Sequence, residues 1–221
     1  MIICIEGIDA SGKATQTKLL TKHFQKEGLE SERFDFPRYQ TGVGQDILGL
    51  LTDKWFVMSP TIVEGPDGLP SHVATPDPAK KALVLQSLMT VNRYEHYDYL
   101  KRWSDRKDGV LVLDRYYGSG IVYGECDGLD KDFLLSIHAA LPEPDAWIFV
   151  DISAEESIRR RPDRRDEYEK REGFMGKVRT KYLALFAERG DSGLPWYVVD
   201  GIGSEAEVHA RVLEVCENVL R

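Results

Sequence analysis

Cysteine is scarce in this chain of 221 residues, which has only three, and none belongs to a Cys-x-x-Cys pair. Cys4, Cys126 and Cys216 lie far apart, which argues against a zinc site or a disulfide framework and predicts reduced thiols, as in a cytoplasm. Long apolar runs are also missing. The run at residues 1–5 ends at Glu6, is too short for a signal peptide or a membrane span, and predicts a buried first strand.

Positive charge is in the minority, since 29 Lys and Arg face 37 Asp and Glu and the formal net charge is −8. This balance argues against nucleic acid or an anionic membrane as the main partner. An acidic protein that handles phosphate must concentrate its positive charge in one place. The length and the 42% hydrophobic content predict one compact domain over residues 1–221.

Short apolar runs alternate with longer amphipathic stretches, which is typical of an α/β fold with a parallel sheet and helices on both faces. Strands are predicted at residues 2–6, 32–36, 110–114, 147–151 and 196–200. Helices are predicted at residues 13–27, 43–51, 79–102, 131–141, 154–161, 166–189 and 205–220. Three of the strands end in a carboxylate, at the edge where open α/β sheets bind ligands: Asp114, Asp151 and Asp200.

The segment 53–78 interrupts this regularity and holds half of the ten prolines. Residues 61–68 read Thr-Ile-Val-Glu-Gly-Pro-Asp-Gly, which could open a hairpin with turn residues at its end. We expect a surface insertion rather than an independent module.

Residues 7–14 read Gly-Ile-Asp-Ala-Ser-Gly-Lys-Ala, between the first predicted strand and the first helix. The spacing Gly-x-x-x-x-Gly-Lys in this context is typical of a phosphate-binding loop. Its glycines let backbone N–H groups approach phosphate, the helix N-terminus adds partial positive charge, and the lysine reaches the transferable phosphate. The predicted nucleotide-binding residues are Gly7, Ile8, Asp9, Ala10, Ser11, Gly12, Lys13, Ala14 and Thr15.

The loop lacks the Ser or Thr that usually follows the lysine and binds Mg²⁺, because Ala14 stands there. Thr15 is next, but it points roughly 100° further round the helix. The chain also lacks an Asn-Lys-x-Asp guanine motif. These absences argue against a GTPase or a motor. They favour a kinase in which Mg²⁺ is held through water and substrate phosphates, or by other carboxylates.

Positive charge is concentrated at two further places. Asp114 and Arg115 follow a buried strand, where the acid could position a metal or water and the arginine could clamp phosphate through two hydrogen bonds. Residues 159–166 read Arg-Arg-Arg-Pro-Asp-Arg-Arg-Asp, between two predicted helices. A mobile lid over residues 159–170 that closes arginines over a transferring phosphate is expected there.

Four motifs in order along the chain resemble the thymidylate kinase family. Residues 5–13 match its opening, Ile-Glu-Gly-Ile-Asp-x-x-Gly-Lys, and Phe-Pro-Arg-Tyr at 36–39 is similar to the Phe-Pro-x-x segment that walls its acceptor site. Residues 114–123 contain its Asp-Arg-Tyr-x-x-Ser-x-x-x-Tyr signature. Residues 166–169 read Asp-x-Tyr-Glu within an arginine-rich stretch and resemble its lid. The resemblance covers nearly the whole chain.

The resemblance implies a P-loop kinase fold with a five-stranded parallel core and a lid segment. It implies ATP with Mg²⁺ as donor and a deoxypyrimidine nucleoside monophosphate as acceptor. The most direct reaction is transfer of the γ-phosphate to dTMP, giving dTDP. A homodimer formed by helix packing is also implied, with small-molecule nucleotides as the other partners.

The resemblance also implies roles for the matching residues. Lys13 and the loop backbone would hold the ATP phosphates, and Arg93 and Arg115 the acceptor phosphate. Tyr123 would pack under the sugar and disfavour a ribose 2′-hydroxyl. The implied catalytic residues are Lys13, Arg115, Arg164 and Arg165. The implied metal-binding residues are Asp9, Asp114 and Glu169. The implied substrate-binding residues are Asp9, Phe36, Arg38, Tyr39, Met89, Arg93, Arg115, Ser119, Tyr123 and Tyr168.

Two positions depart from the family pattern. Met89 stands where the family usually has a phenylalanine that stacks on thymine, and Gly120 where it often has Asn or Thr. Both belong to the base pocket, so a kinase for another or a C5-modified deoxypyrimidine monophosphate stays open. Deoxynucleoside kinases carry a similar loop, but they generally place a carboxylate after the second strand, where residues 36–39 have none. A regulatory module that binds nucleotide without turnover is the alternative outside enzymes, and the basic lid argues against it.

Overall fold

The computed structural model describes residues 1–52, 61–64, 70–73, 78–162, 168, 171 and 173–220. The strands are β1 (Ile2–Glu6), β2 (Glu30–Asp35), β3 (Thr61–Glu64), β4 (Pro70–Val73), β5 (Gly109–Asp114), β6 (Ala146–Asp151) and β7 (Trp196–Asp200). The helices are α1 (Lys13–Lys26), α2 (Gly42–Leu51), α3 (Pro78–Tyr94), α4 (Tyr97–Asp105), α5 (Tyr117–Cys126), α6 (Lys131–His138), α7 (Ala154–Arg160), α8 (Phe174–Asp191) and α9 (Glu205–Leu220).

Five of these strands form a parallel sheet in the order β2-β5-β1-β6-β7. The central strand β1 is buried along its whole length, as its uninterrupted apolar run predicts. The α/β class and the five-stranded parallel sheet expected from the sequence are confirmed. The two remaining strands, β3 and β4, pair antiparallel, so the expected hairpin in the 53–78 segment is also confirmed.

Helices cover both faces of the sheet, and alternate residues of β1 show how the two layers divide. Ile2 and Cys4 face the larger layer, which includes helices α2 to α6 and α8. This layer is rich in aromatic rings; for example, the rings of Trp147 and Trp196 stack with their centres 4.3 Å apart. Ile3 and Ile5 face the smaller, aliphatic layer with α1 and α9. None of the helices in the described part of the chain combines the length and apolar character needed to cross a membrane.

The three cysteines are unpaired and buried in different elements. Cys4 lies on β1 and Cys126 on α5, both in the larger layer, whereas Cys216 lies on α9 in the smaller one. The three thiols are therefore unlinked in this fold.

Some predicted boundaries were wrong. The strand predicted at 32–36 begins at Glu30, because its pairing with β5 extends to Glu30 opposite Gly109. The helix predicted at 79–102 is two helices, broken where the His96 ring turns to pack against Phe34 at 5.1 Å and Phe36 at 6.1 Å. Helix α8 begins at Phe174 rather than at residue 166, after Gly173 with φ of 68°.

Helix α5 was not predicted at all, because three glycines give its sequence low helix propensity. Each glycine makes room for a neighbour. A Cβ on Gly118 would lie 3.0 Å from Glu6 Oε1, one on Gly120 2.9 Å from His138, and one on Gly124 2.8 Å from Leu134. Close packing against β1 and α6 therefore outweighs the intrinsic propensity.

Candidate active site

The loop between β1 and α1 has the backbone that phosphate binding requires. Ala10 and Gly12 adopt positive φ values of 57° and 97°, which turn the chain back toward the start of α1 at Lys13. A Cβ on Gly7 would lie 2.4 Å from Ser11 Oγ and 3.0 Å from the carbonyl oxygen of Val150, so only glycine lets the loop close against β6. The N-terminal N–H groups of α1 lack helical partners and are available to an anion.

Lys13 is held inside this loop, where its side chain is buried. Its Nζ donates a hydrogen bond to the carbonyl oxygen of Ile8 at 2.7 Å. Burial, helped by the positive charge of Arg115, lowers the pKa of Lys13 to about 8. Asp9, Asp114 and Glu6 attract the ammonium group, but their attraction does not offset its burial; a bound phosphate would add further negative charge beside it.

Arg115 occupies the turn after β5 with a φ of 66°, a conformation that is uncommon outside glycine. Its Nη2 donates to Asp9 Oδ1 at 2.6 Å and its Nη1 to Ser119 Oγ at 3.2 Å, while the guanidinium lies 5.6 Å from the ring centre of Tyr123. Burial raises the pKa of Asp9, but attraction by Arg115 and Lys13 outweighs it, and the net shift is downward. Asp9 is therefore a carboxylate at neutral pH.

Two cavities open on either side of this ion pair. The first, the loop cavity, has a volume of about 740 Å³ and is lined by residues 9–16, Asp114, Arg115, Arg159, Arg160, Arg161, Gly201, Gly203, Ser204, Glu205 and Val208. Arg160 crosses between its walls, since it pairs with Glu156 at 2.6 Å and donates to the carbonyl oxygen of Gly201 at 2.9 Å.

The second, the α3 cavity, has a volume of about 280 Å³. It is lined by Asp9, Arg33, Asp35, Phe36, Pro37, Tyr39, Leu51, Gln86, Met89, Arg93, Asp114, Arg115, Ser119, Gly120, Tyr123 and Tyr168. Asp9, Asp114 and Arg115 line both cavities and form the wall between them. One cavity thus begins at a phosphate-binding loop, and the other meets it at two carboxylates and an arginine.

Comparison with known proteins identifies the family. The family model described as thymidylate kinase matches residues 5–63 and 76–212 of the chain. The chain belongs to the thymidylate kinase family. Thymidylate kinases are nucleoside monophosphate kinases, so the protein is an enzyme that transfers a phosphoryl group to dTMP and forms dTDP.

Relatives from distant organisms match this chain over nearly its whole length. The thymidylate kinase of Schizosaccharomyces pombe is 29% identical over 218 residues, covering 99% of this chain and 92% of the relative. The probable thymidylate kinase of Pyrococcus abyssi is 30% identical over 220 residues, covering 99% and 96%. A solved thymidylate kinase from Candida albicans, described as having broad substrate specificity, has a TM-score of 0.74 at 27% identity over 98% of this chain and 91% of its own.

Most residues expected from the sequence to bind substrate come together in the α3 cavity. Those that line it are Asp9, Phe36, Tyr39, Met89, Arg93, Arg115, Ser119, Tyr123 and Tyr168. Of the loop residues, Asp9 to Thr15 line the loop cavity, whereas Gly7 and Ile8 are buried behind it. Arg164, Arg165 and Glu169 lie outside the described residues.

Arg38 is the one described member of the expected substrate set that does not line the cavity. Its guanidinium pairs with Asp35 at 2.9 Å and lies 4.4 Å from the ring centre of Phe34. Arg33, which sequence reasoning missed, lines the cavity instead and donates to Asp114 Oδ2 at 3.1 Å. Strand alternation places Arg33 and Asp35 on one face of β2, but alternation alone does not indicate which face of the strand meets the cavity.

Glu6, the last residue of β1, supports the candidate site and was not singled out from the sequence. It is fully buried and accepts hydrogen bonds from Tyr116 N at 3.0 Å, Ser119 N at 2.9 Å, Ser119 Oγ at 2.7 Å and the Tyr182 hydroxyl at 2.9 Å. A carboxylate at the N-terminus of α5 satisfies N–H groups that have no helical partner. Glu6 thereby fixes the turn that carries Arg115.

Asp9 and Asp114 suit Mg²⁺, which proteins usually bind through one or two carboxylates together with substrate phosphates. Both line the wall shared by the two cavities, although each is engaged by an arginine, Asp9 by Arg115 and Asp114 by Arg33. Within the described part of the chain, no three acidic, histidine or cysteine side chains cluster tightly enough to bind a metal by themselves. The donor set therefore fits an ion that shares its ligands with a nucleotide.

Proposed function

We propose that the loop cavity binds Mg-ATP, that the α3 cavity binds dTMP, and that the γ-phosphate crosses the wall between them. The observation that carries this assignment is the shared lining of the two cavities by Asp9, Asp114 and Arg115. A phosphoryl group that moves between two sites needs positive charge at the boundary, because negative charge spreads over its oxygens in the transition state; Arg115 and a Mg²⁺ ion held by the two carboxylates would supply it.

In this assignment each of the described residues has a separate role. Lys13 and the N–H groups of the loop hold the donor phosphates, and Arg115 contacts the phosphate of the acceptor and the group in transfer. Asp9 and Asp114 would hold Mg²⁺ with water and phosphate oxygens, and the ion supplies charge neutralisation when bound. Arg164, Arg165 and Glu169 are proposed to act from the lid, on the sequence pattern alone.

The base end of the acceptor site is proposed to lie against Met89 and Phe36. Tyr123 lies beside Arg115, where it can occupy the space that a ribose 2′-hydroxyl would need. Because a methionine side chain can repack around different substituents, we propose that C5-modified deoxypyrimidine monophosphates are also accepted. The position of Met89 on the lining of the cavity is the observation that favours this second acceptor class.

ADP release from Mg-ATP with a panel of nucleosides and monophosphates tests the assignment. We expect turnover with dTMP and none with nucleosides, and we expect Lys13→Ala to abolish turnover while the melting temperature is retained. Turnover with nucleosides alone would indicate a deoxynucleoside kinase. ATP binding without turnover on any acceptor would indicate a regulatory module.

We further propose a homodimer that acts in the cytoplasm. Leu48 on α2 is 38% exposed, and Leu83 and Val91 on α3 are 42% and 48% exposed, so two neighbouring helices present apolar side chains. Sedimentation velocity tests the dimer, and a charged residue at Val91 should favour the monomer.

A further inference from the structure

Arg93 is a buried cation with few partners. It lines the α3 cavity from helix α3 and is 3% exposed. Its one hydrogen bond among the described residues joins Nη1 to His138 Nε2 at 3.2 Å, and its buried Nε has no partner there. Burial lowers the pKa of Arg93 to about 10, although attraction by Glu6 opposes the shift.

Glu6 does not satisfy this guanidinium. Its two oxygens already accept four hydrogen bonds, from Tyr116, Ser119 and Tyr182. Within the described residues no carboxylate forms an ion pair with Arg93. The remaining donors of the guanidinium thus have no described acceptor, and an electron-rich ligand in the cavity would supply one.

The partner of Arg93, His138, is the last residue of α6 and is 2% exposed. Its Nδ1 lies 2.7 Å from the carbonyl oxygen of Leu134, and because a carbonyl only accepts, Nδ1 carries the hydrogen. The other nitrogen, Nε2, then presents a lone pair to Arg93 Nη1. Burial and the charge of Arg93 lower the pKa of His138 to about 3, so the ring stays neutral at physiological pH.

Three neighbouring residues contact the His138 ring or leave space for it. Thr90 Oγ1 lies 3.0 Å from Nε2, and the ring of Tyr117 stacks on the imidazole at 5.7 Å. A Cβ on Gly120 would lie 2.9 Å from His138 Cε1 and 3.1 Å from Arg93 Nη1. Glycine at position 120 is therefore the residue that leaves space for the histidine and the arginine together.

We propose that His138 is a positioning residue that fixes the Arg93 guanidinium in the acceptor site without neutralising it. A carboxylate in the same place would hold the arginine more tightly, but it would also cancel the charge that attracts an oxygen of the acceptor nucleotide. A neutral imidazole orients the group and leaves its charge for the ligand. This inference rests on the proposed binding of dTMP in the α3 cavity.

Three substitutions of His138 separate orientation from charge. His138→Phe keeps a ring against Tyr117 but removes the acceptor, and we expect the KM for dTMP to rise roughly tenfold with little change in kcat or in the KM for ATP. His138→Gln can place an amide oxygen near Nε2 and should restore most of the loss. His138→Glu should hold Arg93 and keep the melting temperature, yet raise the KM for dTMP at least as much as His138→Phe does.

Tyr94→Phe is the matched control, because the Tyr94 hydroxyl donates to the carbonyl oxygen of Ile137 at 3.1 Å in the same contact between α3 and α6. It should leave the KM for dTMP unchanged. If Tyr94→Phe raised the KM for dTMP as much as His138→Phe does, the effect would come from the packing of α3 against α6, and the proposal would be overturned. Normal dTMP binding by His138→Phe or by His138→Glu would also overturn it. An unchanged KM in Arg93→Ala would instead refute the placement of dTMP in the cavity.

Discussion

Lys13 should take up a proton when Mg-ATP binds. Burial and the nearby Arg115 lower the pKa of its ammonium group from 10.5 to about 8 in the free protein, so at pH 8 about half of the molecules carry neutral Lys13. The anionic phosphates of a bound nucleotide favour the charged form and should return the pKa well above 8. Binding at pH 8 should therefore absorb about 0.5 proton, and at pH 7 about 0.1.

Isothermal titration calorimetry of Mg-ATP in buffers with different ionisation enthalpies measures this uptake. Without dTMP there is no acceptor for the phosphoryl group, so binding is measured without turnover. At pH 8 the nucleotide is fully ionised, so the proton is taken up by the protein. The observed enthalpy should change linearly with the ionisation enthalpy of the buffer, and the slope should decrease as the pH is lowered from 8 to 7.

Lys13→Arg provides the control, because a guanidinium stays charged and should abolish the uptake even if binding weakens. A wild-type slope of zero at pH 8 would show that Lys13 is already charged in the free protein. An equal slope in Lys13→Arg would assign the proton to another group. Either result would refute the reasoning from burial.

Met89→Phe should lower the KM for dTMP about fivefold and narrow the range of acceptors, because aromatic stacking on a base is more stabilising than a sulfur–aromatic contact by about 1 kcal/mol. A lower melting temperature with unchanged acceptor preference would instead place Met89 in the core. Arg115→Ala should reduce kcat by roughly 10³, with partial rescue by lysine, whereas full rescue would show that a point charge suffices. Arg33→Ala should raise the KM for dTMP roughly tenfold while Arg38→Ala has little effect. Equal effects of the two substitutions would contradict the conclusion that Arg33, and not Arg38, lines the α3 cavity.

The place and conformation of the loop at residues 7–14 could be predicted from the sequence because the residues that determine them are consecutive. The eight residues 7–14 contain the glycines, the lysine and the helix start that the function needs, and the flanking strand and helix have clear patterns. The same holds for Asp114 and Arg115, which follow a buried strand directly. In both cases neighbours in sequence are neighbours in the site.

Other parts of the site depend on contacts between distant segments and could not be predicted from the sequence. The pair of Arg93 with His138 joins α3 to α6, and nothing near either residue in the sequence indicates the other. Helix α5 was missed because its glycines, which lower helix propensity, are packing contacts in the fold. The choice between Arg33 and Arg38 required knowing which way β2 faces and that Asp35 engages Arg38.

Because the three thiols are buried in different elements, their reactivity can report how often each element opens to solvent. The thiolate is the form that attacks an alkylating reagent, and burial raises the pKa of Cys126 to about 11, that of Cys216 to about 12, and that of Cys4 well above its usual range. Modification under native conditions therefore requires an excursion that exposes the sulfur. Because the thiols lie on β1, α5 and α9, alkylation rates resolved by mass spectrometry can rank how often the central strand, the helix behind Arg115 and the opposite face of the sheet open.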